Sequence, residues 1–191
     1  MRDSTQAAGG GEPQIYSIGH STRADQEFIE LLRLHGIATL ADIRTIPGSR
    51  RNPQFNREQL SDALQRAGIR YLHLPRLGGL RKSIGEASPN KAWRNASFRG
   101  YADYMLTDDF ERGLTELLEL AKQERLAMMC AEAVPWRCHR SLVSDALLAR
   151  GRTVMHITGS SEPSPHELTP FAVVEDGRVT YPADSSSKAF T

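Results

Sequence analysis

The residues best suited to chemistry lie in one stretch, directly after an apolar segment. Leu126–Cys130 is predicted to form a short buried strand, and the segment from Ser141 to Gly151 has the apolar spacing of an amphipathic helix. Both cysteines of the chain lie here with one carboxylate, one histidine and two arginines, namely Cys130, Glu132, Arg137, Cys138, His139 and Arg140. A strand that opens onto a helix N-terminus directs free backbone N–H groups at the loop, which favours an anion or a thiolate. The pattern predicts a functional site without naming its reaction.

The reactive groups of this stretch allow more than one role. Arg137, Arg140 and the helix dipole would lower the pKa of the Cys130 thiol and make it a nucleophile. A cysteine at a strand end can equally be a small buried core residue. Glu132 is interpreted either as a general base or as the partner of an arginine such as Arg44.

Two other predicted strands also end in polar side chains. The first leads into His20 and Ser21, and the second leads into Arg44. Because ligands of parallel α/β sheets bind beyond the carboxyl ends of the strands, we expect His20, Arg44 and Cys130 to border one cavity. His20 is a candidate acid or base, or a residue that satisfies a loop carbonyl. Arg44 can bind a phosphate or carboxylate through two parallel hydrogen bonds, and an ion pair with Asp42 is the structural alternative.

The middle of the chain is strongly basic, although the formal net charge of the whole protein is only +1. The segment from Arg44 to Arg99 contains twelve Lys or Arg residues and three acidic residues. This excess indicates an anionic ligand, whether a phosphate, a nucleotide or a nucleic acid, with a solvated basic surface as the alternative. Aromatic residues lie among these cations, as they do on single-stranded nucleic-acid surfaces. The residues predicted to bind the ligand are Ser21, Arg44, Arg50, Arg51, Tyr101, Arg137, His139 and Arg140.

Two cysteines and two histidines invite a test for metal binding, because Cys130, Cys138, His139 and His20 offer four ligands of the type that zinc prefers. The spacing of Cys130, Cys138 and His139 matches none of the usual structural zinc patterns, so the sequence predicts no metal and no cofactor. A disulfide between the two cysteines fits their spacing, but two cysteines and no secretory signal in residues 1–14 indicate a reduced, cytoplasmic protein. No apolar run approaches the roughly 18 residues of a membrane span, so no membrane partner is expected.

The order of predicted elements determines the fold class. Strands alternate with helices, which predicts an α/β fold: a single domain with a mainly parallel twisted sheet flanked by helices, followed by a C-terminal β-hairpin around Asp176-Gly177. The expected boundaries are a disordered segment at 1–13, the domain at 14–182 and a tail at 183–191. Residues 76–97 are rich in glycine and basic residues and are predicted to form a mobile lid. Helix starts are predicted at the caps Thr22, Asn56 and Thr107, and helix ends at the glycines Gly36, Gly68 and Gly151.

Five blocks of sequence resemble one bacterial family, catalogued as domain of unknown function 488. The blocks are Ser17–Ser21, Asp42–Asn56, Tyr71–Pro75 with Leu77–Gly79, Phe98–Met105, and Met129–Glu132 with Cys138–Arg140. The similarity extends over roughly residues 14 to 170. It implies a compact α/β domain and a pocket built from these blocks, and it implies no particular activity.

Two functional hypotheses follow from these patterns. The first is an enzyme that acts on a phosphate-bearing or nucleotide-like ligand, with Cys130, Glu132 and His20 as its reactive groups. The second is a nucleic-acid-binding protein that uses the basic region 44–101 and whose cysteines are structural. A hyper-reactive thiol favours the first hypothesis, and salt-dependent affinity for oligonucleotides favours the second. The sequence does not indicate an oligomeric state.

Overall fold

The computed structural model describes residues 14–183 and confirms the α/β architecture predicted from the sequence. The main sheet has six strands: β1 (Ile15–Gly19), β2 (Thr39–Asp42), β3 (Arg70–His73), β4 (Leu126–Cys130), β5 (Val154–Ile157) and β6 (Ser164–Pro165). Five helices connect them: α1 (Asp25–Leu34), α2 (Arg57–Arg66), α3 (Ala96–Tyr104), α4 (Asp108–Gln123) and α5 (Arg140–Leu148). The predicted hairpin is present as β7 (Val173–Glu175) and β8 (Arg178–Thr180).

The strand order brings three functional strand ends together. The order is β3-β2-β4-β1-β5-β6, with the first five strands parallel and the short β6 antiparallel to β5. β4 lies between β1 and β2, so Cys130 pairs with Gly19 and Met129 pairs with Asp42. The chain segments that leave β1, β2 and β4 therefore emerge side by side at the carboxyl edge, as expected from the sequence.

Apolar helix faces cover the two faces of the sheet. Phe110, Leu114 and Leu117 of α4 pack with α5 in one core cluster, while Phe28 and Leu64 of α1 and α2 belong to the other. Strand residues alternate between these clusters, as the pleat requires. The buried faces hold the sheet rigidly beneath the loops of its carboxyl edge.

Glycines end three of the helices as predicted, while the capping predictions were only partly right. Thr107 caps α4 through its side chain, which accepts a hydrogen bond from the Phe110 N–H. Thr22 is not a cap, because α1 begins only at Asp25 and is preceded by Ala24. Asn56 occupies the cap position of α2, but its side-chain oxygen accepts the Ser49 N–H at 2.6 Å instead. The glycines that follow these helices are Gly36, Gly68 and Gly151, and their φ angles are positive, at 64°, 74° and 72°.

The segment predicted as a mobile lid is tied down at its centre. Both carboxylate oxygens of Asp103 in α3 accept hydrogen bonds from it. The four donors are the Ser83 hydroxyl, the Ile84 N–H, the Ser88 hydroxyl and the Asn90 amide. Burial disfavours the charged carboxylate, but these hydrogen bonds outweigh burial and lower the pKa of Asp103. Residues 83–90 are therefore tied to α3 through the charged side chain of Asp103.

The segment 159–165 contributes the edge strand β6 through the pairing of His156 with Ser164. The predictions for residues 1–13 and for most of the tail lie outside the described residues. Within residues 14–183, no helix combines the length and the apolar character that crossing a bilayer requires.

Candidate functional site

A cavity of about 740 Å³ opens at the carboxyl edge of the sheet, above the ends of β1, β2 and β4. Eight of the residues singled out in the sequence line it: His20, Ser21, Arg44, Tyr101, Cys130, Glu132, Arg137 and His139. Arg50 and Arg51 are exposed on the loop beside it, and Arg140 lies beneath it. Cys138, which the sequence analysis considered only for metal or disulfide chemistry, also lines the cavity.

The floor of the cavity holds a compact cluster of Cys130, Cys138 and His139. The His139 Nδ1 atom lies 3.5 Å from the Cys138 sulfur and 3.9 Å from the Cys130 sulfur. The ligand atoms of the three residues all lie within 4.8 Å of one another. The opposite ring atom of His139, Nε2, lies 3.0 Å from the backbone oxygen of Ile43. A carbonyl oxygen can only accept, so Nε2 carries a proton, and Nδ1 faces the two sulfurs.

The imidazole of His139 is held by close packing as well as by its hydrogen bond. A Cβ atom added to Gly79 would lie 2.4 Å from His139 Nδ1, so only a glycine allows this approach. The Tyr101 ring lies 5.1 Å from the imidazole, and its hydroxyl donates to the Leu77 carbonyl oxygen at 2.7 Å. Tyr101 was predicted to bind the ligand, and the structure places its hydroxyl on the backbone and its ring against His139.

The two thiols differ in acidity. The Cys130 thiol donates toward the Cys138 sulfur, which lowers the pKa of Cys138, and His139 and Arg140 lower it further. The same hydrogen bond and burial raise the pKa of Cys130 well above its ordinary value. The peptide N–H of Arg140, at the start of α5, lies 3.5 Å from the Cys138 sulfur. The helix N-terminus therefore supports Cys138 and not Cys130, the cysteine for which an acidic thiol was predicted.

Arg140 has its functional groups turned away from the cavity. Its side chain is 1% exposed, donating to the Ser17 hydroxyl at 3.1 Å and to the Glu132 carbonyl oxygen at 2.5 Å. Gly19 makes room for this contact, because a Cβ atom there would lie 1.8 Å from the Glu132 oxygen. Arg140 therefore ties the loop after β4 to β1, and the structure does not place its guanidinium in the predicted anion site.

Arg44 forms the ion pair that the sequence left as the alternative. Its guanidinium reaches both carboxylate oxygens of Asp42, the closest at 2.6 Å, and both side chains are almost completely buried. Tyr71 donates to the same carboxylate at 2.8 Å. One guanidinium nitrogen, NH2, also donates to the Phe55 carbonyl oxygen at 2.8 Å. The other terminal nitrogen, NH1, lies 3.3 Å from His20 Nε2.

His20 is neutral and has a partner at each ring nitrogen. Its Nδ1 lies 2.8 Å from the Ser21 carbonyl oxygen, so Nδ1 carries the proton and Nε2 accepts from Arg44. The ring stacks on Phe55 with the centroids 4.2 Å apart. Burial, with a smaller effect from the Arg44 charge, lowers the pKa of His20 to about 4. Ser21 has a φ of 54°, a left-handed conformation that few residues other than glycine adopt.

Glu132 and Arg137 are the charged side chains that the site leaves available. Both are exposed at the cavity, and within residues 14–183 neither side chain forms a hydrogen bond or an ion pair. The expected pairing of Glu132 with Arg44 is absent from this part of the chain, because Arg44 pairs with Asp42. Exposed apolar side chains complete the rim, with Ile46 at 70% and Leu80 at 74% exposure.

Comparison with known proteins bears on this geometry. The family profile described as Domain of unknown function DUF488 matches residues 24–147, about two thirds of the chain. The chain belongs to this family. No curated protein and no solved structure matches the chain. The DUF488 match includes the ends of β2 and β4 and the whole Cys130–Cys138–His139 cluster, while His20 and Ser21 lie just before it.

Proposed function

We propose that the protein is an enzyme that acts on a small phosphate-bearing or nucleotide-like anion bound in this cavity. The main support is that Arg137, a cation without a partner among the described residues, lines the same cavity as the Cys130–Cys138–His139 cluster. A buried cluster of soft nucleophiles with a cation beside it suits an anionic substrate. The cavity volume of about 740 Å³ is within the range of small-molecule sites.

The lining suggests how such a ligand would be oriented. Its anionic group would lie toward Arg137, and Arg44 NH1 adds positive charge from the side of His20. Its apolar or planar portion would lie against Ile46 and Leu80, whose exposed side chains otherwise contact water. This division between a charged and an apolar wall favours a nucleotide or an aryl phosphate over free phosphate.

The proposed roles differ from those predicted by the sequence alone. Glu132 remains the candidate general base, since its carboxylate is exposed in the cavity and has no partner within residues 14–183. His20 is a positioning residue, because both ring nitrogens already have partners. The reactive centre is the cluster as a whole and not Cys130 alone, since His139 contacts both sulfurs.

Calorimetric titration tests the ligand class. Orthophosphate, a pentose phosphate and the nucleoside monophosphates are titrated into the wild type, Arg137→Ala and Arg51→Ala. Losing a hydrogen bond to a charged group weakens binding by about tenfold. Arg137→Ala should therefore bind the ligand about tenfold more weakly than the wild type, and Arg51→Ala should bind it with wild-type affinity. Binding that is unchanged in Arg137→Ala would contradict the proposal.

A second arm tests the nucleic-acid hypothesis, which uses the basic region 44–101. A single-stranded oligonucleotide is titrated at several salt concentrations against the same three proteins. Affinity that falls steeply with salt and decreases equally in Arg51→Ala and Arg137→Ala would favour a nucleic-acid surface over a small-molecule site.

A further inference from the structure

We infer that Cys130, Cys138 and His139 form a binding site for a thiophilic divalent cation of the Zn²⁺ type, whose fourth coordination position faces the cavity. The spacing of these residues predicted no metal, because it matches none of the usual sequence patterns. The structure assembles the set from two elements, with one cysteine ending β4 and the other two ligands at the start of α5. The inference concerns metal binding alone and does not depend on the identity of the anionic ligand.

The distances between the ligand atoms suit a tetrahedral ion. Zinc binds sulfur at about 2.3 Å and imidazole nitrogen at about 2.0–2.1 Å, which places sulfur and nitrogen roughly 3.5–3.6 Å apart around a tetrahedral centre. His139 Nδ1 lies 3.5 Å and 3.9 Å from the two sulfurs, and all three ligand atoms lie within 4.8 Å of one another. The two nitrogen–sulfur distances would therefore change by only a few tenths of an ångström on binding an ion.

The surroundings of the ligands are those of a metal-binding histidine and thiolate. Histidine ligands almost always donate their other ring N–H to a carboxylate or a carbonyl, which fixes the nitrogen that faces the metal. His139 does so through Ile43, with Nε2 at 3.0 Å from the backbone oxygen. The N–H of Arg140 points at the Cys138 sulfur at 3.5 Å, a contact that orients the sulfur and partly balances its charge.

The composition of the set determines the class of ion. Two sulfurs and one imidazole select soft and borderline ions over Mg²⁺ and Ca²⁺, which prefer oxygen ligands. Three protein ligands leave one tetrahedral position for a substrate or a water, as in catalytic zinc sites. All three residues line the cavity, so that position is accessible to the ligand beside Arg137.

Cobalt titration of the chelator-treated protein tests the inference directly. Co²⁺ bound by two thiolates in tetrahedral geometry gives sulfur-to-cobalt charge-transfer absorption and intense visible bands, and Zn²⁺ should displace it at one equivalent per chain. Cobalt affinity should fall more than about 100-fold in each of Cys130→Ser, Cys138→Ser and His139→Gln. Such a loss exceeds the roughly 10–100-fold expected when a residue only orients a metal ligand. His20→Gln, which alters another imidazole of the same cavity, should bind cobalt like the wild type.

A protection experiment on the wild type keeps the inference testable if a variant does not fold. Zn²⁺ at one equivalent should block alkylation of both thiols by N-ethylmaleimide, and removal by a chelator should restore it. The inference is overturned by wild-type protein that shows no saturable cobalt signal or no protection, or by cysteine variants that retain full affinity. No anionic ligand is present in these experiments, so their failure and the failure of the proposed function can be told apart.

Discussion

His139 is fixed by Ile43: its Nε2 lies 3.0 Å from the Ile43 backbone oxygen, directly after β2. This single contact places a proton on Nε2 and directs Nδ1 at the sulfurs of Cys130 and Cys138. The contact depends on the strand order: β2 and β4 are neighbours in the sheet, although Ile43 and His139 are 96 residues apart in the sequence.

In the sheet itself, Asp42 at the end of β2 pairs with Met129 of β4, and this pairing brings the Ile43 oxygen to the cluster.

Replacing Gly79 should disturb the cluster through His139. In Gly79→Ala the new Cβ atom would lie 2.4 Å from His139 Nδ1, and the Ile43 hydrogen bond and the Tyr101 ring leave the imidazole little room to move. We expect a loss of about 1–3 kcal/mol in the free energy of unfolding, as for other overpacked sites, measured by urea denaturation. Gly159→Ala is the matched control, because nothing lies within 4 Å of its added Cβ. Equal stability of the two variants would contradict the close packing of His139.

Arg137 and Arg140 should separate into a ligand-binding and a structural arginine. Arg140→Met leaves the Ser17 hydroxyl and the Glu132 carbonyl oxygen without their buried donor, so we expect a loss of about 2–4 kcal/mol of stability. Arg137→Ala should change the free energy of unfolding by no more than about 0.5 kcal/mol, because its side chain is exposed and unpaired within residues 14–183. Urea denaturation of both variants gives the comparison. A stable Arg140→Met protein would refute the structural role.

The sequence predicted the location of the site better than the arrangement of its side chains. Strand ends could be read from apolar runs followed by polar residues, and parallel pairing then brought His20, Arg44 and Cys130 to one edge. The parallel sheet, the hairpin and the glycine helix ends followed from local patterns in the same way.

The direction in which each side chain points could not be read from the sequence. Arg140 follows His139 directly in the sequence, yet its guanidinium donates to the hydroxyl of Ser17, a residue 123 positions away. Cys138 was missed as the more acidic thiol for the same reason. Its acidity depends on Cys130 and on the N–H of Arg140, both of which become neighbours only in the folded chain.

Loss of the Asp103 side chain should release residues 83–90 from α3. In Asp103→Ala the hydroxyls of Ser83 and Ser88 and the amide of Asn90 lose their common acceptor. We expect trypsin to cleave faster after Lys82 and at the other basic residues of the segment, as followed by mass spectrometry of timed digests. Asp108→Ala removes a carboxylate at the start of α4 and serves as the control. A wild type that is cut there as fast as Asp103→Ala would instead support the mobile lid predicted from the sequence.

Stability should fall in mild acid because of a buried histidine pair distant from the cavity. His166 donates through Nε2 to Asp145 at 2.9 Å, and its Nδ1 lies 3.0 Å from His156 Nε2. His156 Nδ1 then has no hydrogen-bond partner within the described residues. Burial, followed by the charges of His166 and Arg140, lowers the pKa of His156 from 6.5 to about 4.

The sign of the pH dependence follows from this lowered pKa. Between pH 6.5 and about 4 the unfolded chain binds a proton at His156 and the folded protein does not, so stability is complete above pH 6.5 and decreases as the pH falls to about 4. The loss attributable to His156 should be roughly 2–3 kcal/mol. Urea denaturation from pH 4 to 8 measures it, and His156→Gln should show a shallower decline. Some decline in stability with falling pH should remain in that variant, because the pKa of His20 is also lowered to about 4. A His156 ring signal that titrates near pH 6.5 in NMR spectra of the folded protein would contradict this account.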